Sequence, residues 1–200
     1  IFIGSGETEG LKSVIHVIEK TRKKYPKICF HINSGDKVDL LDKLDKGLID
    51  FGIFLEPVDK VKYNYLKIPA KDTIGILARK DSHLAKKNVV TKKDLEKVPL
   101  IMSRQLKEDS TLLRWFNLPL EKLNIVATYN LVFNASLMVS EGLGYAITLD
   151  KLINTTGTSN LCFIPLKPEI TVDMYIMWKK YQVFPKAAEK FLEELEKEND

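Results

Sequence analysis

Cysteine is scarce in this 200-residue chain: Cys29 and Cys162 stand alone, more than a hundred positions apart. Both fall on predicted strands, which argues against a disulfide framework or a Cys-x-x-Cys redox motif. The expectation is two small buried hydrophobes in a reducing compartment. Histidine is nearly as rare. His16, His31 and His83 are scattered without metal-ligand spacing, so no metal is expected. His31, on a predicted strand, is expected in the core. No Gly-x-Ser-x-Gly elbow occurs, and neither cysteine has an obvious histidine partner in sequence, so nothing points to an enzyme. No apolar run is long enough to span a bilayer, and no basic-then-apolar leader is visible. The chain opens inside a strand, as a fragment of a longer protein would.

Arginine is also sparse. Arg22, Arg79, Arg104 and Arg114 are the only four among 31 basic residues, and the formal net charge is +4. Most lysines alternate with acids, as in Asp42-Lys43-Leu44-Asp45-Lys46. That marks solvated helix faces and not a phosphate-tracking stripe. Without a reading helix or stacking aromatics, specific DNA binding by these residues is not expected. Apolar residues at 44% and charged residues at 29% describe an ordinary globular protein with one large or two small domains.

What is present is alternation of strand and helix. Ile1-Phe2-Ile3 runs into the turn Gly4-Ser5-Gly6-Glu7-Thr8-Glu9-Gly10, and a helical pattern continues from Leu11 to Tyr25, stopped by Pro26. Its stripe reads Leu11, Val14, Ile15 and Ile18, with Val17 set off from it. A second strand, Ile28 to Ile32, leads through Asn33-Ser34-Gly35-Asp36 into a helix with Val38, Leu41, Leu44 and Leu48 as its stripe. Phe51 to Leu55 forms a third strand. Further strands are expected at Tyr63–Ile68, Thr73–Ala78, Pro99–Met102, Ile125–Thr128, Tyr145–Leu149, Leu161–Ile164 and Thr171–Trp178. Helices are expected at Ser110–Phe116, Asn134–Glu141, Asp150–Thr155 and after Pro185. The glutamates of the last helix oppose its dipole and predict a frayed end. This order implies parallel sheets covered by helices, which bind ligands at the carboxyl ends of their strands.

The N-terminal turn fits neither common nucleotide template. A dinucleotide turn beginning at Gly4 needs glycine where Glu9 stands, and a P-loop needs Gly10 directly before Lys12, but Leu11 intervenes. What survives is a helix N-terminus with amide donors and nearby hydroxyls, suited to an anion or a polar ligand. Plain capping by Ser5 or Thr8 is the structural alternative.

Ile3-Gly4-Ser5-Gly6-Glu7-Thr8-Glu9-Gly10, the helix closed by Tyr25-Pro26, and Leu44-Asp45-Lys46-Gly47-Leu48-Ile49-Asp50-Phe51-Gly52-Ile53 resemble the effector-binding domain of LysR-type transcriptional regulators. Asp81-Ser82-His83-Leu84-Ala85 and Gly142-Leu143-Gly144-Tyr145-Ala146-Ile147 extend the resemblance over almost the whole chain. It implies an α/β fold of two Rossmann-like lobes joined by two crossover strands, similar to type 2 periplasmic binding proteins. The first lobe would hold residues 1–72 and 172–200, the second 73–171. It further implies a small effector between the lobes, a homodimer through the first helix and second strand, a cytoplasmic location, no cofactor, and DNA contact only through a domain preceding residue 1.

The same resemblance assigns the ligand-binding residues. Ser5, Gly6, Glu7 and Thr8 form the first loop, and Asp36 and Lys37 the second. Lys37 stands where a hydroxyl residue is common, as does Gly6. Ser103 and Arg104 follow the second lobe's first strand, where a guanidinium can grip a carboxylate. Asn130 and Thr148 complete the set. Lys37 and Arg104 favour a carboxylate, whereas Glu7 and Glu56 leave an amino acid open. A transporter's solute-binding protein, or a transferase or lyase on a similar scaffold, are the alternatives.

Overall fold

The computed structural model describes residues 1–105 and 111–199. In chain order the elements are β1 (Phe2–Ser5), α1 (Leu11–Lys24), β2 (His31–Ser34), α2 (Lys37–Asp45), β3 (Phe51–Leu55) and β4 (Tyr63–Arg79). Then come α3 (Lys92–Leu95), β5 (Leu100–Ser103), α4 (Thr111–Phe116), β6 (Ile125–Tyr129) and α5 (Val132–Ser140). The last are β7 (Tyr145–Leu149), β8 (Leu161–Lys179) and α6 (Lys186–Asn199). The chain divides into two compact units, one of residues 1–71 with the chain from Val172 onward, the other of residues 72–171. The long strands β4 and β8 belong to both and carry the chain between them.

In the first unit β1 is the centre. It pairs in parallel with β2, from Phe2↔His31 to Ser5↔Ser34, and with β3, from Ile3↔Phe51 to Ser5↔Ile53. β8 adds antiparallel to β3, Gly52↔Met177 through Leu55↔Met174. Strand alternation then sorts side chains onto two faces. Phe51, Ile53, Met174 and Ile176 join Val14 and Val17 of α1 and Phe191 of α6. Phe54, Tyr175 and Met177 join Leu40 and Leu44 of α2. Phe191 is fully buried and meets Phe30 and Phe51 edge-on at 5.2 and 5.3 Å. In the second unit β5 pairs in parallel with β6 and β7, and β7 is antiparallel to β4. One face packs Leu100, Met102 and Phe116, the other Ile101, Ala135 and Val139. α3 starts with a capping box, the Asp94 carboxylate accepting from the Thr91 amide at 2.9 Å.

Several expectations are corrected. The second strand lies three residues later than predicted, at His31–Ser34. His31 is therefore exposed, with its ring stacked on Phe2 at 4.6 Å, and Cys29 is exposed too. The α1 stripe is Val14, Val17 and Thr21, while Ile15 is 49% exposed. A threonine can lie in the core because its hydroxyl donates to the Val17 carbonyl at 2.8 Å. In α2, Leu40 and Leu44 are buried but Val38 and Leu48 are exposed. The four strands read separately on either side of the unit boundary form two continuous ones, β4 and β8. Asp150–Thr155 is not helical: Lys151 has φ 63°, and the Asn154 side chain accepts the Thr156 amide at 2.9 Å, a local turn. α6 runs on to Asn199, and glutamates of its last turns have lysine partners. Glu194 is held by Lys24 at 2.5 Å and Lys197 at 2.9 Å, and Glu198 by Lys20 at 2.5 Å. Ser110, the expected start of the fourth helix, lies outside the described residues.

Candidate functional site

The carboxyl ends of the parallel strands gather the candidate residues of each unit. In the first, β1 ends at buried Ser5, beside Ser34 of β2. The Gly35 amide donates to the Ser5 carbonyl at 3.2 Å, and the Gly6 amide to the Ile53 carbonyl at 3.3 Å. These bonds bring the loops after β1, β2 and β3 side by side. The Ser5 hydroxyl donates to the Gly6 carbonyl at 2.7 Å. Thr8 accepts the Gly10 amide at 3.1 Å and lies 2.7 Å from the Met174 sulfur. At Gly10 a Cβ would stand 1.8 Å from the Met174 methyl, so a side chain there requires the end of Met174 to move. A Cβ at Gly6 would meet nothing within 4 Å, so the loop leaves room there.

The expected amide nest at the start of α1 is used locally. Leu11, Lys12 and Ser13 donate to the carbonyls of Thr8, Glu9 and Gly10, so these amides close the first turn on itself. Gly10 caps α1 without a side-chain bond; neither Ser5 nor Thr8 is its cap. The N-terminus of α2 is different. Buried Asp36 caps it, its carboxylate accepting from Val38 and Asp39, each at 3.1 Å. Lys37 follows directly, half-buried, with its ammonium on the Pro57 carbonyl of the loop after β3. That contact, which joins the second and third loops, was not legible in sequence. Glu7 is half-buried on the first loop. Glu56 answers a different need: its amide donates to the Asp173 carbonyl at 3.0 Å and its carboxylate accepts the Asp173 amide at 3.2 Å, extending the β3–β8 ladder.

In the second unit Ser103 ends β5 opposite Tyr129 of β6. The Arg104 amide donates to the Tyr129 carbonyl at 2.8 Å, and the Tyr129 hydroxyl to the Ile147 carbonyl of β7 at 2.7 Å. Tyr129 thus ties the ends of β5, β6 and β7, a role that sequence reading missed. Arg104 and Asn130 are exposed, and the Asn130 side-chain oxygen Oδ1 accepts the Leu131 amide at 3.0 Å. Ser103 accepts the Gln105 amide at 3.3 Å, and Thr148 is buried near the end of β7. Ser5, Gly6, Glu7, Thr8, Asp36 and Lys37 therefore share one strand-end cluster, and Ser103, Arg104, Asn130 and Thr148 another. Neither assembles a nucleophile with a base, and no cluster of metal-ligating side chains occurs among the described residues.

The described residues thus form two α/β units that share two long strands and carry polar loops at their parallel-strand ends. Over residues 1–200 the sequence matches the family described as the LysR substrate binding domain, and the chain belongs to that family. A curated relative, the uncharacterized HTH-type transcriptional regulator YvbU of Bacillus subtilis, is 32% identical over 148 residues, 74% of this chain. The match spans 49% of that relative's length. The regulatory domain of Synechocystis CcmR in complex with 2-PG is similar at a TM-score of 0.78, with 16% identity over 100% of this chain and 97% of that one. The effector binding domain of QuiR in complex with shikimate reaches 0.84, with 16% identity over 100% of this chain and 96% of that one. The α/β fold is the type 2 periplasmic-binding-protein fold of LysR regulatory domains.

Proposed function

We propose that this chain senses a small polar effector, a carboxylate or an amino acid, between two lobes of residues 1–72 with 172–200 and 73–171. The observation that carries this reading is the gathering of hydroxyl and basic side chains at parallel-strand ends in each unit: Ser5, Thr8 and Lys37 in one, Ser103, Arg104 and Thr148 in the other. Lys37 and Arg104 act as counter-charges, with Gly6, Glu7, Asp36 and Asn130 lining the same site. The Pro57 carbonyl is a neutral acceptor, so an effector carboxylate displaces it from Lys37 with a gain in charge-assisted bonding. Binding that favours one arrangement of the lobes shifts the regulator by its differential affinity.

The full regulator places a helix-turn-helix before residue 1, works on DNA in the cytoplasm, and pairs through α1 and β2. The pairing reading rests on exposed apolar residues: Phe2, Ile15 and Ile32 of the first unit, with Val126, Phe133 and Leu137 of the second to receive them. β2 is the outer strand of the first unit and β6 that of the second. No helix among the described residues is long and apolar enough to cross a membrane.

A thermal-shift screen of small carboxylates and amino acids tests the reading. Lys37→Ala and Arg104→Ala each weaken the best hit by about 1–3 kcal/mol, as for loss of a charge-assisted hydrogen bond. A hit that both variants bind as tightly as the parent chain overturns the charge assignment.

A further inference from the structure

The charge of the chain is unevenly spread. Residues 79–97 carry seven Lys and Arg against three Asp and Glu, a surplus of four. The whole chain's net charge is also +4, so everything outside this stretch balances. Unlike Asp42-Lys43-Leu44-Asp45-Lys46, the stretch has lysines in adjacent pairs, Lys86-Lys87 and Lys92-Lys93, with no acid between them.

Packing turns the stretch into a fixed strap on the surface of the second unit. It leaves β4 at Arg79 and runs to β5, and its Leu84, Val90 and Leu95 are buried in the core with Ile76, Leu100 and Phe116. Val90 is also tied to β8: its amide donates to the Pro165 carbonyl at 2.9 Å, and its carbonyl accepts the Lys167 amide at 2.8 Å. With these apolar residues turned inward, the ammonium groups stay in water, where a charge needs no partner. Lys80, Lys86, Lys92, Lys93 and Lys97 are exposed, as is Lys167 beside Val90, and none lies within ion-pair distance of a carboxylate among the described residues. The strap's own acids are largely engaged elsewhere. Arg79 holds Asp81 at 2.5 Å and Lys87 holds Asp94 at 2.7 Å, which leaves Glu96. In the first unit, by contrast, Lys20, Lys24, Lys62 and Lys67 each hold an acid.

We propose that this strap is a contact surface for the phosphate backbone of duplex DNA, used without regard to sequence. It rests on the reading of the chain as part of a regulator that works on DNA, and adds a contact by this chain to the one expected from a preceding domain. The residue types select the partner. Lysine ammonium groups act as point charges on phosphates, and phosphate contacts hold a protein on a duplex without reading its bases. Single strands call for aromatic side chains on which bases stack, and no Phe, Tyr or Trp occurs from 79 to 97. Protein interfaces are poor in lysine and apolar at their centre, and a membrane surface calls for an apolar face. Val89, 37% exposed, is the strap's one exposed large hydrophobic residue.

The test is fluorescence anisotropy of a labelled duplex of arbitrary sequence, titrated with the 200-residue chain between ~50 and ~200 mM salt. The strap predicts a Kd of roughly 10⁻⁶–10⁻⁴ M, the same for unrelated sequences, and a salt slope of about −3.6 if four lysines sit on phosphates. Replacing Lys86, Lys92 and Lys93 together by Gln brings the slope to about −0.9 and weakens binding at least about tenfold at the lowest salt. Replacing Lys27, Lys180 and Lys186 by Gln removes the same charge from exposed lysines of the first unit, and leaves slope and Kd unchanged. Equal losses in the two triple variants overturn the proposal, because net charge alone would then be responsible. So does binding that is absent or insensitive to salt, or a single strand that binds more tightly than the duplex. Phosphatidylserine vesicles or polyglutamate that compete as well as unlabelled duplex also overturn it. A chain that ignores the duplex yet binds a hit from the effector screen refutes the strap and leaves the effector reading standing.

Discussion

Two neighbouring apolar residues of α1 give opposite results when replaced by aspartate. Val17 is 4% exposed and packs in the core with Phe51, Ile176 and Phe191, whereas Ile15 is 49% exposed on the far side of the helix. Val17→Asp removes a buried side chain and places a carboxylate among apolar groups without a partner. Loss of apolar burial and carboxylate desolvation together cost roughly 4 kcal/mol or more, a large share of a domain's stability. Ile15→Asp leaves the core intact and changes monomer stability by no more than about 0.5–1 kcal/mol, mostly helix propensity. Its effect falls on pairing. Covering the exposed half of an isoleucine is worth about 1 kcal/mol, and a two-fold interface contains it twice. Dimer affinity therefore falls by about 2 kcal/mol, roughly thirtyfold in Kd, before any cost of the new carboxylates. Urea unfolding measures the first effect and sedimentation equilibrium the second. A Val17→Asp chain that unfolds at the parent urea midpoint would refute the placement of α1. An Ile15→Asp chain that dimerises as tightly as the parent would refute the interface.

Acid stability should depend on Glu194, whose carboxyl is held down to about 2 by its bonds to Lys24 and Lys197, against an ordinary value of 4.5. Its contribution is fully present above pH 4.5 and lost as pH falls towards about 2. The stability difference between the parent and Glu194→Gln, followed by urea midpoints, is thus constant above that value and vanishes at the acid end. A difference that does not change between pH 6 and about 2 would rule this out. Gly144→Ala should destabilise the second unit by about 2–3 kcal/mol, because the new Cβ would stand 2.5 Å from the Pro99 carbonyl oxygen, backbone that receives the Tyr145 amide. An unchanged melting temperature would contradict that geometry. The 200 residues alone should not retard a promoter fragment sequence-selectively in a gel-shift assay; nanomolar selective binding would overturn the division of labour proposed for the regulator.

The alternation of strands and helices was legible in the chain because its signals are local. Pro26 stops α1, and the turn Asn33-Ser34-Gly35-Asp36 leads directly into α2, which Asp36 caps. The strand-end position of Ser5, Lys37 and Ser103 followed from the same pattern, since parallel strands put the loops after them at one end of the sheet. Which side of α1 is buried did not follow. Over fourteen residues the rows through Val14 and Val17 and through Ile15 and Ile18 are almost equally apolar. The row through Val14 and Val17 is the one that packs on Phe51, Ile176 and Phe191, residues 34 or more positions away in sequence. Thr21 could enter that row only because its hydroxyl turns back to its own helix. The lengths of β4 and β8, the bond from Lys37 to the Pro57 carbonyl, the Glu56–Asp173 ladder and the strand ends tied by Tyr129 were likewise decided by tertiary structure. Each joins segments far apart in the chain, and hydrophobic period and turn chemistry carry no information about which distant partner a polar group will meet.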